Sequence, residues 1–186
     1  LPGSSVTIER TLTSSDLSAD LPDFSTVLPS GTALKYAVTL ADAVTDNTLN
    51  LSYIKARVEG DGGLSLGADL VTLVIGDGIT TIAQDSFKDT ELTSVTIGSS
   101  VTSIAAGAFQ NAPLTSLTLG HGVTPGTIDA SSFTGTRLDL PGSSVLIERT
   151  LTSGDLSGPS GELEDFSAVL PSGTGVSYAV TLADVV

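Results

Sequence analysis

The sequence predicts a mainly β solenoid, with parallel strands wound into coils of about 22 residues, few helices, and irregular β-rich segments on either side. Two nested periods and one feature of composition carry this reading. Leu70, Leu92 and Leu114 recur every 22 residues, and so do Phe87 and Phe109. A longer period of about 139 residues returns the start of the chain at its end. Apolar residues make up 40% of the chain but aromatics only 4%, so the core must be built from Val, Ile, Leu and Ala. Serine and threonine supply about a quarter of the residues, a mixture that favours short Thr-rich strands and tight turns.

Taken in chain order, residues 1–11 read as a partial, degenerate coil, LPGSSV followed by IERTL. Residues 12–68 depart from the 22-residue pattern and read as an irregular β-rich island. Within it residues 35–40 and 49–58 alternate like strands, and Asp61-Gly62-Gly63 marks a turn before the regular coils. A short helical turn is expected over residues 14–20. Residues 69–150 hold the solenoid. LVTLVIG at 70–76, LTSVTIG at 92–98 and LTSLTLG at 114–120 occupy equivalent positions. In each, alternation sends the aliphatics to one face and Thr to the other, as a half-buried strand requires. The following Gly (76, 98 or 120) lets the backbone turn, and a second apolar pair turns back toward the core: Ile79 and Ile82, Val101 and Ile104, Val123 and Ile128. Small residues and a phenylalanine close each coil at Phe87, Phe109 and Phe133, and the third coil carries two extra residues near Pro125-Gly126. Residues 151–186 begin a second copy of the island. Asp165-Phe166-Ser167 repeats Asp23-Phe24-Ser25, and YAVTLAD at 178–184 repeats residues 36–42.

One such coil cannot bury its own inner face, whereas stacked coils about 4.8 Å apart make the core continuous. The expected ladder consists of Phe87, Phe109, Phe133, Leu92, Leu114, Ile97 and Leu119. The segment LTSVTIGSSVTSIAAGAF over residues 92–109 resembles the BspA-type leucine-rich repeat, whose pattern runs L-x-x-V-x-I-P/G-x-x-V-x-x-I-G-x-x-A-F. The resemblance is close over residues 70–133. It implies a right-handed solenoid with a parallel sheet on one face, a cell-surface or secreted setting, and association with host proteins, cells or matrices. It carries no catalytic residues to transfer.

Composition excludes several function classes. Seven basic residues against 21 acidic ones give a net charge of -14, with no basic patch to neutralise phosphates, which argues against nucleic acid and anionic membranes as partners. The absence of cysteine removes disulfides, thiolate nucleophiles and Cys-based zinc sites together. No apolar stretch reaches the roughly 18 residues of a membrane span. The single histidine, His121, sits in a Gly-His-Gly turn where the other coils carry Asp77 and Ser99-Ser100, and no G-x-S-x-G elbow accompanies it. Carboxylates cluster at Asp16, Asp20 and Asp23 and again at Glu162, Glu164 and Asp165. Either cluster could supply part of a calcium site, but neither has loop spacing that closes six or more oxygens, so solvated loop charge is the simpler reading. Asn50-Leu51-Ser52 is an N-glycosylation sequon. Thr93, Thr96, Thr115 and Thr118 would offer hydroxyls on the outer sheet face to a partner or to O-glycans, or serve as ordinary β-surface residues.

These observations lead to a non-enzymatic, extracellular or cell-surface protein without a cofactor. Its tandem units would form or extend a fibre or adhesive stalk through self-association or continuation into identical units. The alternative is a discrete module that binds a host protein or glycan through the solenoid face, although its shortage of Tyr, Trp and Arg counts against that.

Overall fold

The computed structural model describes residues 5–12, 33–40, 48–49, 70–76, 79–152 and 163–183. Ten strands lie in these segments: β1 (Ser5–Leu12), β2 (Ala33–Leu40), β3 (Thr48–Leu49), β4 (Leu70–Ile75), β5 (Thr81–Ile82), β6 (Ser94–Ile97), β7 (Ser103–Ile104), β8 (Ser116–Leu119), β9 (Ser144–Leu151) and β10 (Val176–Leu182). Seven form one sheet in the order β1-β2-β4-β6-β8-β9-β10, with every neighbouring pair parallel. The short strands β3, β5 and β7 form a second parallel sheet, which an isolated bridge between Ile104 and Ile128 extends. Among the described residues the only helical element is a 3-10 turn, Pro125–Thr127. It occupies the two-residue insertion of the third coil, with proline at the start of the turn, where a missing N–H costs nothing.

The alternation in the sequence becomes burial directly. In β6 and β8 each apolar residue is buried and each Ser or Thr between them is half-exposed. The middle coil places Leu92, Val95, Ile97, Val101, Ile104, Ala108 and Phe109 in the core, all essentially without solvent contact. Coils repeat in register, with Val95 opposite Leu73 on one side and Leu117 on the other. Phe87, Phe109 and Phe133 stack face to face, with ring centroids 5.3 and 5.4 Å apart and planes within 10° and 2° of parallel. This offset stacking adds about 0.5–1.5 kcal/mol per pair to the burial of the rings.

The turn around each phenylalanine depends on left-handed backbone. Asp89, Asn111 and Gly135 lie two residues after the three rings and all have positive φ, at 58°, 62° and 76°. Asp, Asn and Gly are the residues that tolerate this region best. Thr90 and Thr136 then donate their hydroxyls to the carbonyls of Phe87 and Phe133 at 2.8 Å, so buried polar atoms are satisfied within the turn.

One sequence expectation is refined. In the third coil the glycine after the strand is needed for proximity rather than for a left-handed turn: Gly120 does not have positive φ, but an added Cβ would lie 2.6 Å from the Gly98 carbonyl carbon and the Ser99 nitrogen of the coil beneath. The strand expected at residues 35–40 is present as β2, and both segments read as β-rich islands contribute a strand to the main sheet, β2 from residues 12–68 and β10 from residues 151–186. Their coils are longer, with Ala33 pairing Ser5 across 28 residues and Val176 pairing Val145 across 31, so the 22-residue period does not reveal them. The two copies also fold alike, since Ile8 faces Tyr36 as Ile147 faces Tyr178. The proposed helical turn at 14–20 and most of the strand at 49–58 lie outside the described residues.

Replacing Phe109, the middle ring of the stack, by Ala should cost about 3–5 kcal/mol in chemical denaturation, and Phe109→Leu markedly less. A cost near zero would mean that the stack does not hold the coils together.

Candidate interaction surface

The outward face of the main sheet is built by the alternate residues that the core does not take. On it Thr39, Val74, Thr96, Thr118 and Leu146 stand in one row across five strands, and Thr72, Ser94, Ser116 and Ser144 in the next. The surface is therefore hydroxyl-rich at its centre. Thr96 and Thr118 lie within it, half-buried by their neighbours. Thr93 and Thr115 instead sit just before their strands, exposed, and each hydroxyl donates to a carbonyl of the preceding coil, Val71 at 3.2 Å and Thr93 at 3.4 Å. Those two hydroxyls are partly spent on holding coils together.

Beyond the regular coils, β9 runs further than β8, and its extra residues carry a buried charge. Arg149 points to the core side and is only 6% exposed. The reason is a ring of acceptors left by the Gly120–Val123 turn. Its guanidinium donates to the carbonyls of Val123 at 2.7 Å, Glu148 at 2.7 Å and Gly120 at 3.4 Å, and pairs with the Glu164 carboxylate at 2.9 Å. The same group lies 5.1 Å over the Phe166 ring. Tyr178 of β10 closes the cluster by donating its hydroxyl to the Glu164 carbonyl at 2.6 Å. Burial pushes the Tyr178 hydroxyl pKa above its ordinary value, the Arg149 charge opposing and the Asp165 and Glu164 charges reinforcing that shift. This cluster was missed from the sequence, because an Arg at a core position of a strand reads as a surface residue until the turn opposite it is known.

The remaining sequence candidates are placed as follows. His121 is exposed in its turn, and its Nδ1 accepts from the Thr150 backbone N–H at 3.2 Å. Glu164 is committed to Arg149, and Asp165 accepts from the Ser167 backbone and hydroxyl at 2.8 and 2.9 Å. The calcium candidates Asp16, Asp20 and Asp23, the sequon residue Asn50, and Glu162 lie outside the described residues. Among the described residues no three His, Cys, Asp or Glu side chains gather as metal ligands, and no helix is long and apolar enough to cross a membrane.

The two outer edges of the main sheet differ from its interior. β1 and β10 each have one side without a strand partner among the described residues. Core-side residues are exposed there: Val6 at 37% on β1, Val180 at 45% and Leu182 at 52% on β10.

With this geometry the comparisons with known proteins can be placed. Residues 66–149 match the family model described as BspA type leucine rich repeat region, in 6 copies. That part of the chain, which contains β4 to β8 and most of β9, is a BspA-type leucine-rich repeat region. No curated protein and no solved structure matches the chain.

Arg149→Met should lower stability by about 2–3 kcal/mol, because three backbone carbonyls lose a charged donor in a buried setting. Glu164→Gln should cost less, since that carboxylate is largely solvated. Urea midpoints of the two variants check the order. Acid should also destabilise the protein in a defined direction. The carboxyl of Asp129, bonded by the Ser131 hydroxyl and then its N–H, is held below the ordinary 3.8, and so is that of Asp165, bonded by the Ser167 N–H and then its hydroxyl. A carboxyl lowered by folding adds stability above its unfolded value and loses it as pH falls through the folded one. Melting temperature should therefore fall as pH drops below about 4, and Asp129→Asn with Asp165→Asn should flatten that fall.

Proposed function

We propose that this protein is a non-catalytic, extracellular or cell-surface structural element, whose coils extend a fibre or an adhesive stalk. The BspA-type repeat is the observation that carries the reading, since the family comprises repeat proteins typically associated with cell surfaces. Three features of the chain support it. The segment that repeats the start of the chain about 139 residues later is folded as a continuation of the same sheet, so repetition lengthens the solenoid. The outward face is an array of hydroxyls with no concentration of ionisable or nucleophilic groups at one point among the described residues. The net charge of -14 keeps such rods apart in solution and gives them affinity for cations.

The binding-module reading, in which a host protein or glycan lies on the face around Thr96 and Thr118, rests on the same sheet. It lacks the cluster of Tyr, Trp and Arg that anchors most recognition patches: of the two arginines within residues 69–150, Arg149 is buried and Arg137 stands outside the strands.

Electron microscopy of material isolated without denaturation tests the proposal, together with antibody labelling of intact source cells. The sheet advances five strands from β1 to its copy β9, so tandem units should give an axial repeat of roughly 24 Å at about 4.8 Å per strand. Labelled surfaces and a fibre support the reading. Compact particles confined to the cell interior would overturn it.

A further inference from the structure

The ring turns of the regular coils pass hydrogen bonds in one direction. Phe87 and Asp89 donate their backbone N–H groups to the carbonyls of Ala108 and Gln110 in the next coil, at 2.7 and 2.9 Å. Phe109 and Asn111 repeat this toward Ser132 and Thr134, both at 2.9 Å. Phe133 and Gly135 hold the same positions in the third coil, and Gly135 shares the positive φ of Asp89 and Asn111. Among the described residues no acceptor meets either of their N–H groups. Phe133 is 0% exposed, so its N–H is buried without a partner, which is rare in folded proteins.

The following coil supplies the reason. Its Asp165–Ser167 turn repeats the Asp129–Ser131 turn, in which the carboxylate accepts from the backbone N–H and the hydroxyl of the Ser two residues on. Four residues after the Asp comes Phe133 in the third coil but Val169 in the next. The smaller side chain does not continue the stack of rings. What remains is a cavity of about 210 Å³, bordered by Phe133, Thr134 and Gly135 from one coil and by Val169, Leu170 and Pro171 from the other. An apolar cavity of about 150 Å³ holds benzene. This one therefore has room for a benzene ring with a small polar substituent. None of the described residues that border it is charged.

We propose that this cavity binds a small neutral aromatic carbonyl compound, with its ring against Phe133 and its carbonyl oxygen accepting from the buried Phe133 N–H. The Gly135 N–H, two residues on, is available to a second acceptor. The preceding coil shows both halves of such a contact inside this molecule. There Phe109 carries a ring stacked 5.4 Å away, that of Phe133, and its N–H meets an amide carbonyl, that of Ser132, at 2.9 Å. Phe133 offers the cavity what Phe109 offers the third coil. A neutral ligand is favoured over an anion because no cation borders the cavity and the chain carries a net charge of -14. The site uses none of the residues of the hydroxyl face and does not depend on the fibre reading.

Titration of the full chain with benzamide, followed by NMR, tests the site. The amide resonance of Phe133 and the methyl resonances of Val169 and Leu170 should shift together and saturate. Toluene fills the space without an acceptor and should bind at least about tenfold more weakly. Benzoate should also bind more weakly than benzamide, and tighter binding by benzoate would overturn the neutral class. Val169→Phe should fill the cavity, abolish the benzamide shifts and raise the melting temperature. If that variant does not fold, Ala130→Trp, at an exposed residue bordering the cavity, should block the same shifts. No saturating shift at Phe133 in the unsubstituted chain, equal affinity for toluene and benzamide, or shifts that survive the blocking substitution each overturn the site.

Discussion

The stacking of one coil on the next is the constraint from which the remaining structure follows. A single coil of about 22 residues has an inner face of Leu, Val, Ile and one Phe, and nothing within itself to cover it. Hydrogen bonds between coils fix the spacing on every side. Thr115 donates to Thr93 at the start of the strand, Ala105 to Ile82 beside the second sheet, and Phe109 to Ser132 at the ring turn, all at 2.9–3.0 Å. Once that spacing is set, equivalent residues must lie over one another. A ring above a ring, a left-handed residue beside a left-handed residue, and a glycine where a coil crowds its neighbour are consequences of the same translation.

The same constraint explains where the repeat changes character. From β4 to β8 the coils are uniform, and the core is aliphatic and aromatic apart from the buried hydroxyls of Ser86 and Thr90. At β9 the strand lengthens past the turn of the coil below and meets the carbonyls of Gly120 and Val123, and there the sequence places Arg149 at a core-side position. A buried guanidinium is tolerated because four acceptors and the Phe166 ring surround it. Its Nε alone has no hydrogen-bond partner among the described residues. The transition between coil types is thus a polar seam, and the Asp165 turn and Tyr178 hydroxyl are bound to it.

The functional reading follows from what the stacking leaves outside. Alternation presents every second residue of the main-sheet strands on one face, and most of those residues are hydroxyl-bearing or small. Such a surface suits repetition, length and contact over area better than chemistry at a point.

Much of this was legible in the sequence. The 22-residue spacing of Leu92 and Leu114, the alternation in Val95-Thr96-Ile97 and the recurring Phe determined the coil, its buried face and the parallel pairing, because period and side-chain direction are fixed locally by the backbone. The order Asp89, Asn111, Gly135 also held a signal, three residue types sharing a left-handed preference at one repeat position, visible only when the coils are aligned on Phe. Other features depended on neighbours distant in the chain. That β2 and β10 join the main sheet is hidden by coils of 28 and 31 residues, since strand pairing has no fixed sequence separation. The role of Arg149 required the turn at Gly120, and the role of Gly120 required the backbone of Gly98 beneath it. Local pattern set which face of each strand is buried. Only the packed coils decided which groups meet across the stack, because that depends on the relative positions of segments that the chain itself does not place side by side.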